Sequence, residues 1–221
     1  MSLLKRSFSF IYENLFPNVK LSNSLTVGLA VSFLRKLRNI KKDFVIEDEV
    51  IYALTDNAVF TYNLNTNETG KMSSVNGFSG ETTSAIYFNR SNRRLVIGYE
   101  TGLIEVLNED KSIHISADIV SFNQVGEKRI NHISEHNNKL YLSTPFAIIV
   151  YDIDKLEFGD TYFIGENSTS VKINQTLIVN NHIYAATENG IYRADLSNPN
   201  LIDFNNWELI FNGSFLNIVR F

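Results

Sequence analysis

Cysteine is absent from this chain of 221 residues, and methionine and tryptophan are scarce, at two copies and one. The absence of cysteine excludes disulfides, thiolate nucleophiles and cysteine-based zinc sites. Long hydrophobic runs are missing too: residues 25–34 (LTVGLAVSFL) form the only extended one, and a membrane-spanning helix needs roughly 20 apolar residues. The 20 basic and 24 acidic residues are scattered and give a net charge of −4. Nucleic acid, which requires a dense basic surface, is therefore not an expected partner.

What the chain does contain is a globular composition rich in aromatic residues. Hydrophobic residues make up 44% and charged residues 20%, which is enough material for a buried core. Phenylalanine and tyrosine, at 16 and 10 copies, favour β-strands because flat rings pack well on pleated faces. The length predicts one domain, or one domain and a fragment of another.

Residues 1–39 form an atypical N-terminal segment. Most of the positive charge near the apolar run, including Arg35 and Lys36, follows that run. A secretory signal places its positive charge before the apolar stretch, so no clear signal peptide is present. We expect a short amphipathic helix or strand packed on the body of the protein. A signal peptide, or a start that is not the natural one, are the alternatives.

A sequence repeat runs through the rest of the chain. Four segments align without gaps, at 50–64, 94–108, 139–153 and 182–196. Their third residues, Tyr52, Val96, Tyr141 and Tyr184, are spaced by 44, 45 and 43 residues. Repetition at a fixed period of roughly 20–50 residues is typical of solenoids and propellers.

Each copy is predicted to be a β-hairpin with a further strand on either side, because two apolar runs flank a cluster of turn residues. The predicted turns are 56–58, 100–102, 145–147 and 188–190. Their asparagine and glycine residues accept the positive φ that tight hairpins demand. The flanking strands are predicted at 44–46, 84–88, 130–134 and 172–179 before the hairpins, and at 71–75, 113–119, 160–164 and 207–210 after them.

The predicted fold class is all-β, a β-propeller of four-stranded antiparallel blades. Four strands per unit at a period of roughly 40–50 residues are typical of propeller blades. Strands that are apolar throughout indicate sheets covered on both faces, whereas an immunoglobulin-like sandwich would leave one face polar. The blades are predicted at about 40–75, 84–119, 130–164 and 172–210 of a propeller domain that covers 40–221, with 215–221 as the first strand of a fifth. Because propellers close with about 4–8 blades, we expect a partial or open ring, with a small closed ring as the alternative.

One pentapeptide matches a metalloprotease pattern. Residues 132–136 (HISEH) have the H-x-x-E-H spacing of inverted zinc metalloproteases. That chemistry requires a helix, whereas these residues are predicted in the first strand of the third blade. Positions four apart on a strand are separated by about 13 Å, too far for one metal. We therefore interpret His132 and His136 as exposed residues at a strand end.

Two further patterns carry weak signals. Asp152, Asp154 and Asp160 suggest calcium ligands, but the D-x-[DN]-x-[DN]-G loop is incomplete and a polar turn is preferred. Asn-x-Ser/Thr sequons occur at Asn67, Asn167, Asn174 and Asn212. Nucleophile-elbow, P-loop and dinucleotide-binding motifs are absent from the sequence. We therefore assign no catalytic, cofactor-binding or metal residue and predict that the chain is not an enzyme.

Specific motifs resemble known propellers. Residues 75–79 (VNGFS), 84–86 (SAI) and 96–103 (VIGYETGL) resemble the two-component-regulator propeller repeat. Residues 158–165 (FGDTYFIG), 183–191 (IYAATENGI) and 200–204 (NLIDF) with Trp207 resemble the N-terminal propeller of PorZ-type proteins, which belong to the type IX secretion system of Bacteroidota. This second likeness covers about 39–221.

The PorZ-type resemblance implies a protein of the periplasm or outer-membrane surface, in a complex that attaches anionic lipopolysaccharide to secreted cargo. It implies other secretion and attachment proteins as partners, with lipopolysaccharide bound by a C-terminal β-sandwich that these 221 residues do not include. Family members begin with a signal peptide and a strand that residues 1–38 do not match. We expect a truncated or mis-started fragment of such a protein.

Three functions follow from these observations. The preferred one is a non-enzymatic propeller scaffold of a PorZ-like secretion accessory protein. The first alternative is the periplasmic ligand-sensing propeller of a hybrid two-component regulator, which a downstream transmembrane helix and kinase would favour. A propeller lyase or glycosidase is the second alternative, and it would need acids or histidines converging on the central channel.

Overall fold

The computed structural model describes residues 43–213, which form sixteen strands in four antiparallel sheets, each with its four strands in chain order. Blade 1 comprises β1 Asp43–Glu47, β2 Val50–Thr55, β3 Ala58–Asn63 and β4 Thr69–Met72. Blade 2 comprises β5 Thr83–Asn89, β6 Arg94–Tyr99, β7 Ile104–Leu107 and β8 Ile113–Ser116. Blade 3 comprises β9 His132–His136, β10 Lys139–Ser143, β11 Ile148–Asp152 and β12 Glu157–Tyr162. Blade 4 comprises β13 Ile173–Val179, β14 His182–Thr187, β15 Gly190–Asp195 and β16 Glu208–Asn212.

Successive blades follow one another around a common axis. The first strands lie side by side, β1 against β5, β5 against β9 and β9 against β13, so the first strand of each blade is the innermost. Within residues 43–213 the four sheets form an open arc. The predicted fold class, a partial propeller of four-stranded antiparallel blades, is confirmed.

The hydrophobic core lies between blades rather than inside any one of them. Three buried clusters join blade 1 to 2, blade 2 to 3, and blade 3 to 4. In β10, Leu140 and Leu142 face blade 2 while Tyr141 faces blade 4, and all three are buried. Because blades 2 and 3 are covered on both sides, their central strands are apolar throughout. Strand β14 has one described blade beside it and alternates between buried and half-buried residues.

The connections between blades are fastened by a repeated backbone hydrogen bond. The residue that enters each new blade donates its N–H to a carbonyl of the preceding blade's central hairpin. These bonds join Thr83 to Asp56 (2.9 Å), Ile130 to Tyr99 (3.2 Å) and Ile173 to Thr144 (3.0 Å). The same bond in three connections holds each blade against its neighbour.

Positive φ angles occur at the glycines of two predicted central turns, Gly102 (φ 87°) and Gly190 (φ 149°), and also in turns between first and second strands. Asp48-Glu49, Asn137-Asn138 and Asn180-Asn181 are left-handed at both positions, as type I′ turns between first and second strands require. The predicted positive φ is wrong for the asparagines of the central hairpins, Asn57 and Asn189.

Threonine holds the central hairpins instead. Thr144 Oγ1 accepts the backbone N–H of Ala147 (3.0 Å), and Thr187 Oγ1 accepts that of Gly190 (3.1 Å). Thr55 Oγ1, at the same repeat position, donates to Ala58 O (2.9 Å). Side-chain bonds of this kind stabilise a turn in addition to its backbone hydrogen bonds.

Some predicted strand boundaries are wrong. The strand predicted at 113–119 ends at Ser116, because Asp118–Ser121 form a short helix, α1, that buries Ile119 between blades 2 and 3. Val75, predicted in a strand, lies in the 3₁₀ turn Ser74–Asn76 and is exposed. The strands predicted at 130–134 and 160–164 are shifted to the positions of β9 and β12.

The remaining short helices are the 3₁₀ turns Glu166–Ser168 and Phe204–Asn206. Among the described residues, no helix has the length and apolar character needed to cross a membrane. The predictions for segments 1–39 and 215–221 lie outside the described residues.

Candidate interaction surface

The central hairpins and the connections between blades meet at one end of the arc, which we call the hairpin end. Hydrogen bonds join the two kinds of loop. Asn57 Nδ2 donates to Gly80 O (3.1 Å), and the Thr101 hydroxyl donates to the Glu81 carboxylate. Loops held by a rigid scaffold are where binding residues concentrate.

The connection from blade 2 to blade 3, residues 117–131, is the longest of the three described connections; the others are 73–82 and 163–172. Connections between elements of compact domains have a median length of about 4–6 residues, and long connections are frequently functional. We call residues 117–131 the long connection.

The long connection is anchored at several points. Ile119 is buried against the β6–β7 hairpin, where a Cβ on Gly102 (φ +87°) would lie 2.5 Å from Ile119 Cγ2. Glycine is required at this position by both the φ angle and the close approach. Lys128 Nζ donates to the carbonyls of Val120 and Phe122, each at 2.6 Å. These contacts close the connection on itself and hold it on blade 2.

Three phenylalanine rings support its outer surface. The Phe122 ring lies 5.9 Å from that of Phe146 and 6.5 Å from that of Phe163, nearly parallel to the former at 10°. Phe146 is buried, but Phe122 and Val120 are each 40% exposed and Val125 is 95% exposed. Val120, Phe122 and Val125 form what we call the apolar patch. Exposed apolar groups on a rigid aromatic base are typical of protein-binding surfaces.

The charge beside the apolar patch is negative. Asp118 and Glu127 of the long connection and Glu166 near Phe163 form no ion pair within residues 43–213. Of the two cations in the connection, Lys128 is bound to carbonyls and Arg129 lies 3.5 Å from Glu100. The apolar patch is therefore bordered by acidic side chains.

The H-x-x-E-H residues form strand β9. His132 is paired with Ser143 and His136 with Lys139, at opposite ends of the β9–β10 ladder. Both are half-buried, so the expectation that they are exposed is wrong. One metal ion cannot bridge imidazoles about 13 Å apart. The glutamate of the motif instead joins two blades, since Glu135 Oε2 accepts the Tyr87 hydroxyl at 2.9 Å. Burial, followed by the nearby Glu135 carboxylate, raises the pKa of Tyr87 well above its usual range.

The three aspartates considered for calcium have separate environments. Asp152 Oδ1 accepts the backbone N–H groups of Asp154 and Lys155, both at 3.1 Å. Asp154 Oδ1 accepts the Asn92 side chain at 2.6 Å, which joins blades 2 and 3, and Asp160 is exposed on β12. Residues 43–213 contain no group of three histidine or acidic side chains placed to hold a metal ion.

The sequon asparagines are dispersed. Asn67 and Asn167 occupy left-handed turn positions, and Asn174 and Asn212 lie on β13 and β16.

A buried carboxylate that the sequence analysis did not single out lies between blades 1 and 2. Glu105 on β7 is fully buried and accepts the Tyr99 hydroxyl and the Ser79 backbone N–H, the latter at 2.7 Å. Burial and the bond to Glu105 raise the pKa of Tyr99 well above its usual range. The corresponding positions of the other blades hold Phe60, Ile149 and Tyr192. The only indication of this buried carboxylate in the sequence is a glutamate within the otherwise apolar strand β7 (IEVL).

A family model described as "TSS9, PorZ, N-terminal beta-propeller domain" matches residues 51–208, from β2 to the start of β16. The chain belongs to this family. The resemblance drawn from residues 158–165 and 183–191 is thereby confirmed. A comparison with curated proteins finds no match by sequence.

Solved structures share the fold. PorZ of Porphyromonas gingivalis, a surface component of the type IX secretion system, is 19% identical with a TM-score of 0.66, over 76% of this chain and 22% of that chain. Two extracellular domains assigned to hybrid two component systems of B. thetaiotaomicron, BT4673 and BT3049, are 14% and 18% identical with TM-scores of 0.59 and 0.57. Those alignments cover 77% and 78% of this chain and 22% of each domain. At these identities the likeness shows the fold alone, and the chain spans well under half of each of these longer proteins.

Proposed function

We propose that this chain is part of a non-enzymatic propeller scaffold at a bacterial cell surface, where it docks other proteins of a type IX secretion complex. The observation that carries the proposal is the family match over residues 51–208. The similarity to PorZ, described as a surface component of that system, supports both the location and the kind of partner. Delivery of anionic lipopolysaccharide, which the resemblance also implies, is assigned to other domains of a parent protein.

The apolar patch on the long connection is the docking surface of this proposal. Val120, Phe122 and Val125 project from a loop whose base is held by Ile119 and Lys128. Such a surface loses little conformational entropy on binding, because its loop is already ordered in the free protein.

The test uses the gene in its own bacterium, tagged for affinity purification at its chromosomal locus. Val125→Glu places a charge in the apolar patch at a side chain that is 95% exposed, so the fold tolerates it. We expect the unaltered protein to co-purify with type IX secretion proteins identified by mass spectrometry. We expect Val125→Glu to recover them at least about tenfold less well, because an unpaired charge would be buried at the interface.

Val75→Glu is the matched control, since Val75 is 92% exposed at the same hairpin end but on a different connection. It should leave co-purification and cargo secretion unchanged. If Val125→Glu binds normally, the docking surface lies elsewhere on the scaffold. If deletion of the gene leaves cargo secretion intact and alters transcription of a regulated gene set, the sensor function replaces the scaffold function.

A further inference from the structure

A cleft of about 340 Å³ opens between blades 1 and 2 at the end opposite the hairpin end. Its size falls in the range of small-molecule sites, about 300–1,000 Å³. Blade 1 contributes residues of β2, β3 and β4, and blade 2 contributes residues of β5, β6, β7 and the β7–β8 turn. It lies apart from the apolar patch and does not depend on the proposed function.

The cleft exists because two of the three residues in one row across blade 1, Thr61 and Gly70, have small side chains or none. Tyr52, Thr61 and Gly70 are paired in register across β2, β3 and β4. A Cβ on Gly70 would lie 2.5 Å from Thr61 Oγ1, so even alanine would displace the threonine. The equivalent row of blade 2 holds Val96, Val106 and His114, and both valines are fully buried.

The walls of the cleft are apolar and partly aromatic. The rings of Tyr52 and Phe88 face each other across the two blades at 5.8 Å between centroids. Met72 and Leu95 complete the wall. A flat apolar group of a ligand would pack against these side chains as closely as side chains of neighbouring blades pack against each other.

The polar rim carries charges of both signs. Arg93 pairs with both Asp48 (2.6 Å) and Glu109 (2.9 Å), which leaves one negative charge on that cluster. Lys111 also lines the cleft and forms no ion pair within residues 43–213. Lys71 is paired in register with Phe60, and its Nζ lies 5.8 Å from that ring centroid, on the face of blade 1 opposite Thr61 and Gly70. One ammonium group, that of Lys111, is therefore available to a ligand at the mouth of the cleft.

We propose that this cleft binds small amphiphilic anions, with an aromatic body packed against the Tyr52–Phe88 pair and a carboxylate at Lys111. Thr61 offers its hydroxyl to the ligand from the floor of the cleft. The apolar body of the ligand contributes most of the affinity, and Lys111 selects a negatively charged end group.

Met72 makes the proposal directly measurable, because the 221-residue chain contains only two methionines, Met1 and Met72. Labelling the full chain with ¹³C-methyl-methionine gives a reporter inside the cleft and a reporter far along the chain. The probes are 3-phenylpropionate, 3-phenylpropanol and 3-phenylpropylamine, which share one carbon framework and differ in charge. We expect 3-phenylpropionate to shift the Met72 methyl signal saturably and at least about fivefold more tightly than the amine does.

Two variants with a matched control complete the test. Lys111→Gln should weaken 3-phenylpropionate binding by about fivefold. Lys155→Gln changes the corresponding turn of blade 3, β11–β12, and should bind as the parent does. Thr61→Leu should fill the cleft and abolish the shift; if it fails to fold, the exposed Lys111 variant still decides. The proposal is overturned if the carboxylate leaves Met72 unshifted, if the amine binds equally well, or if Lys111→Gln binds as tightly as the parent.

Discussion

The interface between blades 2 and 3 is packed differently from the interface between blades 1 and 2. Between blades 2 and 3, Leu142, Ile104 and Tyr151 are fully buried, and the Tyr151 hydroxyl is matched to Ser116 Oγ at 2.9 Å. Between blades 1 and 2, a buried carboxylate, a cleft and an ionic bridge interrupt the apolar cluster.

The difference shows where a propeller can carry function. A fully filled interface contributes roughly 1.5–3 kcal/mol for each large side chain that it buries, and it leaves no room for a ligand. The blade 1–blade 2 interface gives up part of that stabilisation at Thr61 and Gly70. Its polar contacts run from Glu105 to Ser79 of the connection and from Arg93 to Asp48, and blades 2 and 3 are also joined by a polar contact, between Glu135 and Tyr87.

The largest expected difference between the interfaces comes from matched leucine truncations. Leu142→Ala removes a side chain that is 0% exposed between blades 2 and 3 and should lower the free energy of unfolding by about 2–5 kcal/mol. Leu107→Ala removes a half-buried side chain that lines the cleft and should cost about 1 kcal/mol, because space already exists beside it. Urea unfolding monitored by tyrosine fluorescence measures both. Equal losses would mean that the cleft is as tightly packed as the filled interface.

A smaller contrast is expected from two tyrosine hydroxyls. Tyr99→Phe leaves the buried Glu105 carboxylate with only the Ser79 N–H as a partner and should cost about 1.5–3 kcal/mol, as for bonds to charged groups. Tyr151→Phe removes a bond to the neutral Ser116 hydroxyl and should cost about 1 kcal/mol. The same urea titrations compare them. If Tyr151→Phe proves the more damaging, Glu105 is not the polar anchor of its interface.

The blades were predictable because their signal is repeated. Apolar runs recur at a spacing of 44, 45 and 43 residues, and a sheet covered on both faces needs such runs whatever its loops do. The first strands of all four blades and all four central hairpins therefore lie within a few residues of their predicted positions.

Residues whose role depends on a second blade were not predictable. Ile119 continues the apolar pattern of β8, but it lies in a short helix and is buried against the β6–β7 hairpin. The sequence shows Glu105 only as an acid in a strand, and its hydrogen bonds with Tyr99 and Ser79 become visible only in the folded structure. Thr144 gives no sign in the sequence of the hydrogen bonds that replace left-handed turn residues.

The candidate surfaces show the same limit. The apolar patch is formed by a connection with no repeat counterpart, and Phe122 meets Phe146 and Phe163 only in the folded arc. The cleft depends on an absence, the missing side chain of Gly70 next to Thr61. Periodicity locates strands, but it cannot show which gap between strands remains open.

The smallest effect concerns the ionic bridge at the cleft mouth. Arg93 spans the two blades by pairing with Asp48 and Glu109, and these bonds raise its pKa further above the ordinary arginine value. All three groups are exposed, so Arg93→Gln should lower the urea midpoint only slightly, and the difference should vanish at about 1 M salt, where the Debye length is about 3 Å. Arg193→Gln, which breaks a pair with Glu208 inside blade 4, is the matched control. It should lower the urea midpoint less than Arg93→Gln does, because one partner is lost instead of two. A loss at Arg93 that persists in high salt would contradict the electrostatic interpretation. It would assign the effect to the packing of the arginine stem along the cleft wall, and the blade 1–blade 2 interface would then resemble its apolar neighbour more closely than its charges suggest.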